Sequence, residues 1–162
     1  MTSLHIEPAT PADVPMILQL IRELAEFERL LHEVTATEEQ LLENLFGPRP
    51  KAEVIMGRLP GGEVVGFALY FHNFSTFLAK PGIYLEDLYV RQQYRGRGYG
   101  ELLLRRLAGI ALERNCGRLE WSVLDWNQRA IDFYKSLGAA PMNEWTIYRV
   151  TGSALQKLGN SS

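Results

Sequence analysis

The sequence predicts a mixed α/β sandwich, a sheet with helices on both faces. The 162-residue chain starts with a short strand-like segment, and segments of strand and helix periodicity then follow in mixed order. The hydrophobic fraction of 46% and the charged fraction of 22% are typical of one globular domain of this length. We therefore predict a single domain over residues 1–158 and a loose tail over residues 159–162.

The first half of the chain supplies two helices with recognisable starts. After a strand at residues 4–7, Thr10 is the predicted N-cap of a helix that has Pro11 at its first position and Asp13 at its third. Thr37 and Gln40 form the ends of a capping box for a second helix, which should end near Gly47. The first helix should face the core with apolar residues at helical spacing, namely Val14, Ile17, Leu18, Ile21, Leu24 and Ala25.

The remaining elements follow from alternation, turn residues and apolar spacing. Residues 52–59 and 63–74 read as strands of one hairpin around Pro60-Gly61-Gly62. The further predicted elements are a strand at 83–90, a helix at 102–114, a strand at 118–124, a short helix from about Asn127 to a left-handed cap at Gly138, and a strand at 145–150 that closes the sheet.

Bulk composition excludes several classes of function. A net charge of −2 argues against nucleic acid as a partner. The single Cys116 forms no internal disulfide, and the three histidines lack metal-ligand spacing, so no metal site is expected. No apolar segment approaches the ~18 residues of a membrane span, and the N-terminal residues lack a signal-peptide pattern. We expect a cytoplasmic protein without a membrane partner.

Charge is unevenly spread along the chain. Residues 1–47 hold nine of the nineteen acidic residues but only two of the seventeen lysines and arginines. Most of these acids fit a solvated helix face. Some could instead attract a cationic amine, while the basic turn further along attracts an anion.

The most informative segment joins a strand to a helix through the turn Arg95-Gly96-Arg97-Gly98-Tyr99-Gly100. Glycines let an anion approach the backbone closely, and a helix start offers N–H groups without partners. No Gly-Lys-Ser/Thr triplet exists for a Walker loop, and Glu101 stands where a dinucleotide fingerprint needs its third glycine. The pattern therefore predicts a phosphate-bearing cofactor of another kind.

The pattern Arg95-x-x-Gly98-x-Gly100 resembles the pyrophosphate loop of the GNAT superfamily of N-acetyltransferases. Four further segments resemble its spermidine/spermine branch, and within it the thialysine acetyltransferases. They are Ile21-Arg22-Glu23-Leu24-Ala25-Glu26-Phe27-Glu28, Tyr84-Leu85-Glu86-Asp87, Leu124-Asp125-Trp126-Asn127-Gln128-Arg129-Ala130 and Phe133-Tyr134-Lys135. The resemblance covers nearly the whole chain.

The resemblance implies a mostly antiparallel GNAT-type sheet in which the strand carrying Glu86 and the strand ending at Leu124 splay apart to form a cofactor cleft. It also implies acetyl-coenzyme A as the cofactor, with the pantetheine arm bonded to a strand backbone as an added strand would be. The residues implied to bind coenzyme A are Leu88, Tyr89, Val90, Arg95, Gly96, Arg97, Gly98, Tyr99, Gly100, Glu101, Asn127, Gln128, Arg129 and Ala130.

The resemblance implies that Tyr134 is the acid that protonates the thiolate of coenzyme A as it departs. A phenol can hold and protonate a sulfur, although a packed core tyrosine is the simpler interpretation of the residue alone. Glu86 is the candidate base or amine anchor. Strand alternation places it beside Leu88 and Val90, an environment that favours a raised carboxyl pKa. The substrate-binding residues implied are Phe27, Glu28, Glu86, Trp121 and Glu144.

These features predict an acetyl-coenzyme A-dependent N-acetyltransferase acting on a primary amine of a small cationic substrate of thialysine, diamine or polyamine type. Protein or peptide N-acetylation, and cofactor binding without turnover, stay open as alternatives. The segment at Trp126 favours the thialysine branch. In addition, few acids follow Gly138 that could hold a polyamine's distal charges. The resemblance also implies a homodimer.

Overall fold

A computed structural model describes residues 3–160 of the chain. These residues fall into two compact units, one reaching Leu124 and the other starting at Asp125. The first unit holds the elements β1 (His5–Pro8), α1 (Val14–Phe27), α2 (Glu38–Phe46), β2 (Glu53–Arg58), β3 (Val64–Ser75), β4 (Lys80–Val90), α3 (Tyr99–Glu113) and β5 (Leu119–Trp121).

The five strands form one open sheet in the order β1-β2-β3-β4-β5. The first three pairings are antiparallel, and β4 pairs with β5 in parallel. A hairpin joins β2 to β3 as predicted, and Gly62 adopts a positive φ of 93° in its turn. The prediction of a mixed, mostly antiparallel sheet is therefore confirmed.

Helix starts lie where the capping residues place them. The amide of Thr10 donates to the Asp13 carboxylate at 2.9 Å and caps a short 3-10 turn at Pro11–Asp13, and α1 follows directly from Val14. In the capping box of α2, the Gln40 amide donates to the Thr37 hydroxyl at 3.2 Å, and the Thr37 amide donates to the Gln40 side chain at 3.0 Å. Local hydrogen bonds between residues three apart decide both boundaries, which is why the sequence could predict them.

The sheet of the first unit carries helices on both faces. One face packs on α1 and α2 through a core that includes Ile17, Leu20, Met56 and Phe67, all fully buried. On β2 the side chains alternate, so Ile55 points to the opposite face, where α3 lies against β2, β3 and β4. Leu103 and Leu107 of α3 are fully buried there.

The second unit contains α4 (Gln128–Ser136) and α5 (Gly152–Gly159). Gly138 has a φ of 91°, as predicted for a left-handed cap. The prediction of a strand at residues 145–150 is wrong, because no described residue pairs with that segment. Trp145 and Ile147 are more than three-quarters exposed. Apolar alternation supplies strand-like side chains, but a strand also needs a neighbour for its backbone hydrogen bonds.

The C-terminal helix α5 was not among the predicted elements. It reaches Gly159, where the tail was predicted to begin, and Asn160 is its C-cap. The rest of the predicted tail, residues 161 and 162, lies outside the described residues.

Candidate active site

The glycine turn lies between the end of β4 and the start of α3. Gly98 is the N-cap of α3 and adopts the left-handed conformation, with a φ of 82°, and Gly96 has a φ of 81°. A Cβ added at either glycine would meet no atom within 4 Å, so the space above this backbone is open. The turn thus has the room that a bulky anion requires.

Helix α3 begins three residues earlier than the predicted residue 102. The amide of Leu102 donates to the Gly98 carbonyl at 3.1 Å and closes the first helical bond. The amides of Tyr99, Gly100 and Glu101 precede it and have no intrahelical acceptor. The Tyr99 side chain is buried, so this residue can serve an anion only through its backbone.

The arginines of the turn lie against aromatic rings. The Arg95 Nε donates to the Val90 carbonyl at 3.0 Å, and its guanidinium carbon is 4.5 Å from the centre of the Phe27 ring. The Tyr89 ring centre is 5.5 Å from the same carbon. Arg97 lies over Tyr94 at 5.7 Å. A predicted cofactor residue, Arg95, therefore contacts a predicted substrate residue, Phe27.

An open edge lies beside the second half of β4. The pairing with β5 covers only Ile83, Tyr84 and Leu85, and β5 ends at Trp121, opposite Leu85. Strand β4 continues to Val90, so no described strand pairs with Glu86–Val90 on that side. The resemblance to the GNAT family implies a cofactor cleft lined by Leu88, Tyr89 and Val90, which belong to this stretch. Tyr89 turns its side chain inward, where its hydroxyl donates to Glu23 at 3.2 Å.

A β-bulge at Glu86 changes the predicted alternation of β4. Leu69 pairs with Asp87 and Tyr70 pairs with Leu85, so Glu86 has no partner residue on β3. Glu86 is exposed, whereas Asp87 is partly buried. Strand alternation predicts that Glu86 shares a face with Leu88 and Val90, but the bulge interrupts the alternation at Glu86 and leaves its side chain exposed.

Three carboxylates interact near this bulge. Burial, followed by the charges of Glu86 and Glu28, raises the pKa of Asp87 to about 6. Burial also raises the pKa of Glu28, which is the C-cap of α1. Like charges and desolvation both disfavour ionisation of a carboxyl group, whereas a bound cation would favour it. We call Glu28, Glu86 and Asp87 the carboxylate cluster.

Asp87 is the residue that sequence reasoning missed. It stands beside the predicted Glu86 in the sequence, but simple alternation turned it to the other face. The sequence feature that could have indicated Asp87 is the pair of adjacent acids in a largely apolar strand. Which of the two becomes buried depends on the bulge, and the bulge depends on pairing with β3.

The second unit positions the remaining predicted residues. Asn127 is the N-cap of α4 and accepts a hydrogen bond from the Ala130 amide at 3.3 Å, as predicted. Gln128 donates to Asp132 at 2.7 Å, and Arg129 is exposed. The rings of Phe133 and Tyr134 lie 5.7 Å apart, and both side chains are partly buried. Glu144 lies in an exposed irregular segment.

An open mixed sheet with a glycine turn that leads into α3 defines the class as an acetyltransferase. Residues 16–139 match the acetyltransferase (GNAT) family, and the chain belongs to this family.

Similar proteins span nearly the whole chain. The thialysine N-ε-acetyltransferase of Mus musculus is 40% identical, with 98% of both chains covered. The L-ornithine N5-acetyltransferase of Arabidopsis thaliana is 36% identical over 95% of this chain and 87% of that protein. The structure of an integron cassette protein from the mobile metagenome of V. cholerae superposes with a TM-score of 0.82, at 31% identity and 98% coverage of this chain and 99% of that one. Among residues 3–160 no helix has both the length and the apolar character needed to cross a membrane.

Proposed function

We propose that this protein transfers an acetyl group from acetyl-coenzyme A to the terminal primary amine of a small cationic amino acid or diamine. The observation that carries the proposal is the carboxylate cluster, which lies on α1 and on the open stretch of β4. A cluster of acids attracts an ammonium group. Thialysine and ornithine, which name two similar proteins, each carry such a terminal amine.

The residues present fit coenzyme A. The glycine turn leaves backbone amides exposed at the start of α3, with open space above Gly96 and Gly98. These amides would hold the pyrophosphate. The open edge of β4 would accept the pantetheine arm through Leu88, Tyr89 and Val90. When bound, the thioester supplies the acetyl group, and the thiolate is its leaving group.

The proposed roles of the side chains follow from their burial and charge. Glu86, which is exposed, anchors the ammonium group, with Phe27, Glu28, Trp121 and Glu144 as further substrate contacts. Asp87, whose pKa is raised to about 6, accepts a proton from the amine directly or through a water. Tyr134 protonates the departing sulfur. We also propose that residues 1–158 form a single domain, and the family match across residues 16–139 supports this.

An amine panel tests the proposed function. Thialysine, ornithine, lysine, a diamine, spermidine and a lysine-containing peptide are each mixed with acetyl-coenzyme A, and free thiol is followed. We expect the short amino acids and the diamine to react with a higher kcat/KM than spermidine or the peptide. A preference for the peptide would establish the protein-acetylating alternative. Cofactor binding with no thiol release from any amine would contradict the enzymatic proposal.

The pH dependence of the free energy of unfolding should reveal the raised pKa of Asp87. Its folded pKa of about 6 lies above the ordinary 3.8, so ionisation destabilises the fold as pH rises through this window. Asp87→Asn should therefore raise the free energy of unfolding above pH 6 by about 2 kcal/mol, after allowance for partial exposure. Below about pH 3, under both the ordinary pKa of 3.8 and the raised one, Asp87 is largely protonated in both states and the variant should match the wild type. Denaturant unfolding at about pH 3 and pH 8 measures both free energies.

Kinetics of the same variant assign the base. If Asp87 accepts the proton, kcat/KM of the wild type decreases as the pH drops below ~6. Asp87→Asn then removes this acidic limb of the pH–rate profile together with most of the activity. Glu86→Gln should keep the limb and raise KM, since it removes only an anchor. The reverse result, a limb that disappears in Glu86→Gln alone, would make Glu86 the base.

We also propose a homodimer. The tip of the β3–β4 hairpin supports it, because Phe74, Phe77 and Leu78 there are all more than half exposed and Phe77 is fully exposed. Light scattering at micromolar concentration should report twice the 18.4 kDa chain mass. Phe77→Ser should shift the equilibrium toward monomer, while Leu112→Ser, at an exposed site on α3, should not. A wild-type monomer would contradict the proposal.

A further inference from the structure

The guanidinium of Arg95 occupies the face of the Phe27 ring. The distance of 4.5 Å from its central carbon to the ring centre is well within the ~6 Å range of a cation–π contact. Its Nε is held by the Val90 carbonyl, which places the charge between α1 and the glycine turn. Phe27 is 41% exposed, so its ring is accessible at the end of α1.

A substrate ammonium would compete with this arginine. Phe27 immediately precedes Glu28, whose pKa burial raises, and Glu28 interacts with Asp87. A cation that approaches the carboxylate cluster thus meets the positive charge of Arg95 on the adjacent aromatic ring. Like charges repel, and the ring face can hold one cation at a time. With Arg95 in this position, the amine binds against an intramolecular competitor.

An anion at the glycine turn would attract the same arginine. Arg95 directly precedes Gly96, so its side chain can reach either the turn or the Phe27 ring. The ring offers an exposed cation–π contact, whereas a pyrophosphate offers charged, bidentate hydrogen bonds, which are the stronger interaction. Pyrophosphate binding should therefore move Arg95 off the ring.

We propose that Arg95 is a positioning residue that makes amine binding depend on coenzyme A. In the free protein it occupies the cation site on Phe27. In the complex it pairs with the pyrophosphate and leaves the ring to the substrate. This inference rests on the proposed function for the identity of the amine, but not for the movement of Arg95. It implies that coenzyme A and the amine bind with positive coupling, by the same factor in either order.

Calorimetry measures the coupling. Thialysine is titrated into the full chain with and without saturating coenzyme A, which binds without turnover. We expect the cofactor to raise thialysine affinity about tenfold. Arg95→Gln should bind thialysine almost equally well with and without coenzyme A, because its thialysine affinity in the absence of coenzyme A rises. Arg105→Gln, which removes an equal charge from an exposed ion pair with Glu101, should keep the wild-type coupling.

Two results would overturn the inference. One is equal thialysine affinity of the wild type with and without coenzyme A. The other is a coupling in Arg95→Gln that is as large as in the wild type. If the amine panel shows acetylation and either result is found, the proposed function stands and only the role of Arg95 fails.

A spectroscopic test needs no amine. In arginine-labelled protein the Nε–H resonance of Arg95, assigned by its loss in Arg95→Gln, should carry a ring-current shift from Phe27. Phe27→Leu should abolish the shift. Coenzyme A alone should abolish it in the wild type as well. A resonance that keeps its shift at saturating coenzyme A would overturn the proposed movement, whatever the substrate is.

Discussion

Replacing Tyr134 with phenylalanine should slow the chemical step by about 10²-fold, the lower end of what a positioned general acid contributes. The variant keeps the ring and its contact with Phe133, so packing and affinity for acetyl-coenzyme A should change little. Loss of an interaction made only in the transition state lowers kcat and kcat/KM together and leaves ground-state binding intact. Single-turnover rates are the proper measure, since product release can mask a slower chemical step.

Tyr148→Phe is the matched control for this experiment. Tyr148 lies in the same unit as Tyr134 and is 90% exposed, so loss of its hydroxyl should leave the rate unchanged. A folded Tyr134→Phe protein with wild-type single-turnover rates would show that Tyr134 is a packed aromatic. The thiolate would then take its proton from solvent or from the amine.

Replacing Gly98 with valine should weaken coenzyme A binding by about 10- to 100-fold, the loss expected for one or two charge-assisted hydrogen bonds. The left-handed φ of 82° disfavours any β-branched residue, so the turn must distort. A Cβ at Gly98 would also project into the open space that the pyrophosphate needs. Calorimetry of coenzyme A binding to the folded variant measures the loss.

Gly62→Val separates the effect of backbone strain from the effect of blocking the pyrophosphate. Gly62 has a φ of 93° and equally open surroundings, but it lies in the β2–β3 turn. Both variants should lose similar stability from backbone strain, of the order of 1–3 kcal/mol. Only Gly98→Val should lose cofactor affinity. Unchanged affinity in folded Gly98→Val would sink the idea that this backbone holds the pyrophosphate.

Local interactions explain what could be predicted from sequence. The capping pairs Thr10–Asp13 and Thr37–Gln40 each join residues three positions apart, and the left-handed conformation of Gly138 concerns one backbone position. The glycine turn was recognisable for the same reason, because its exposed amides arise from the start of one helix. Strand periodicity likewise predicted the hairpin of β2 and β3, whose residues are neighbours in the sequence.

Interactions between distant residues were not predictable in the same way. The segment at residues 145–150 has the side chains of a strand but no pairing partner among the described residues. The raised pKa of Asp87 depends on Glu28, which lies on another element of the fold. The contact of Arg95 with Phe27 joins residues 68 positions apart, and no local pattern reports it.

The sequence by itself therefore determined the class of fold and the glycine turn, since each depends on residue types at short spacing. The kind of chemistry was implied by the resemblance of several segments to the GNAT family. The tertiary structure alone decided which carboxylate of the pair Glu86 and Asp87 is buried. Pairing with β3 made that choice, because Asp87 lies opposite Leu69 whereas Glu86 stands in the bulge without a partner residue. The same structure placed Arg95 of the glycine turn on the aromatic ring of Phe27. Burial and electrostatic coupling arise only when distant segments meet in the folded chain.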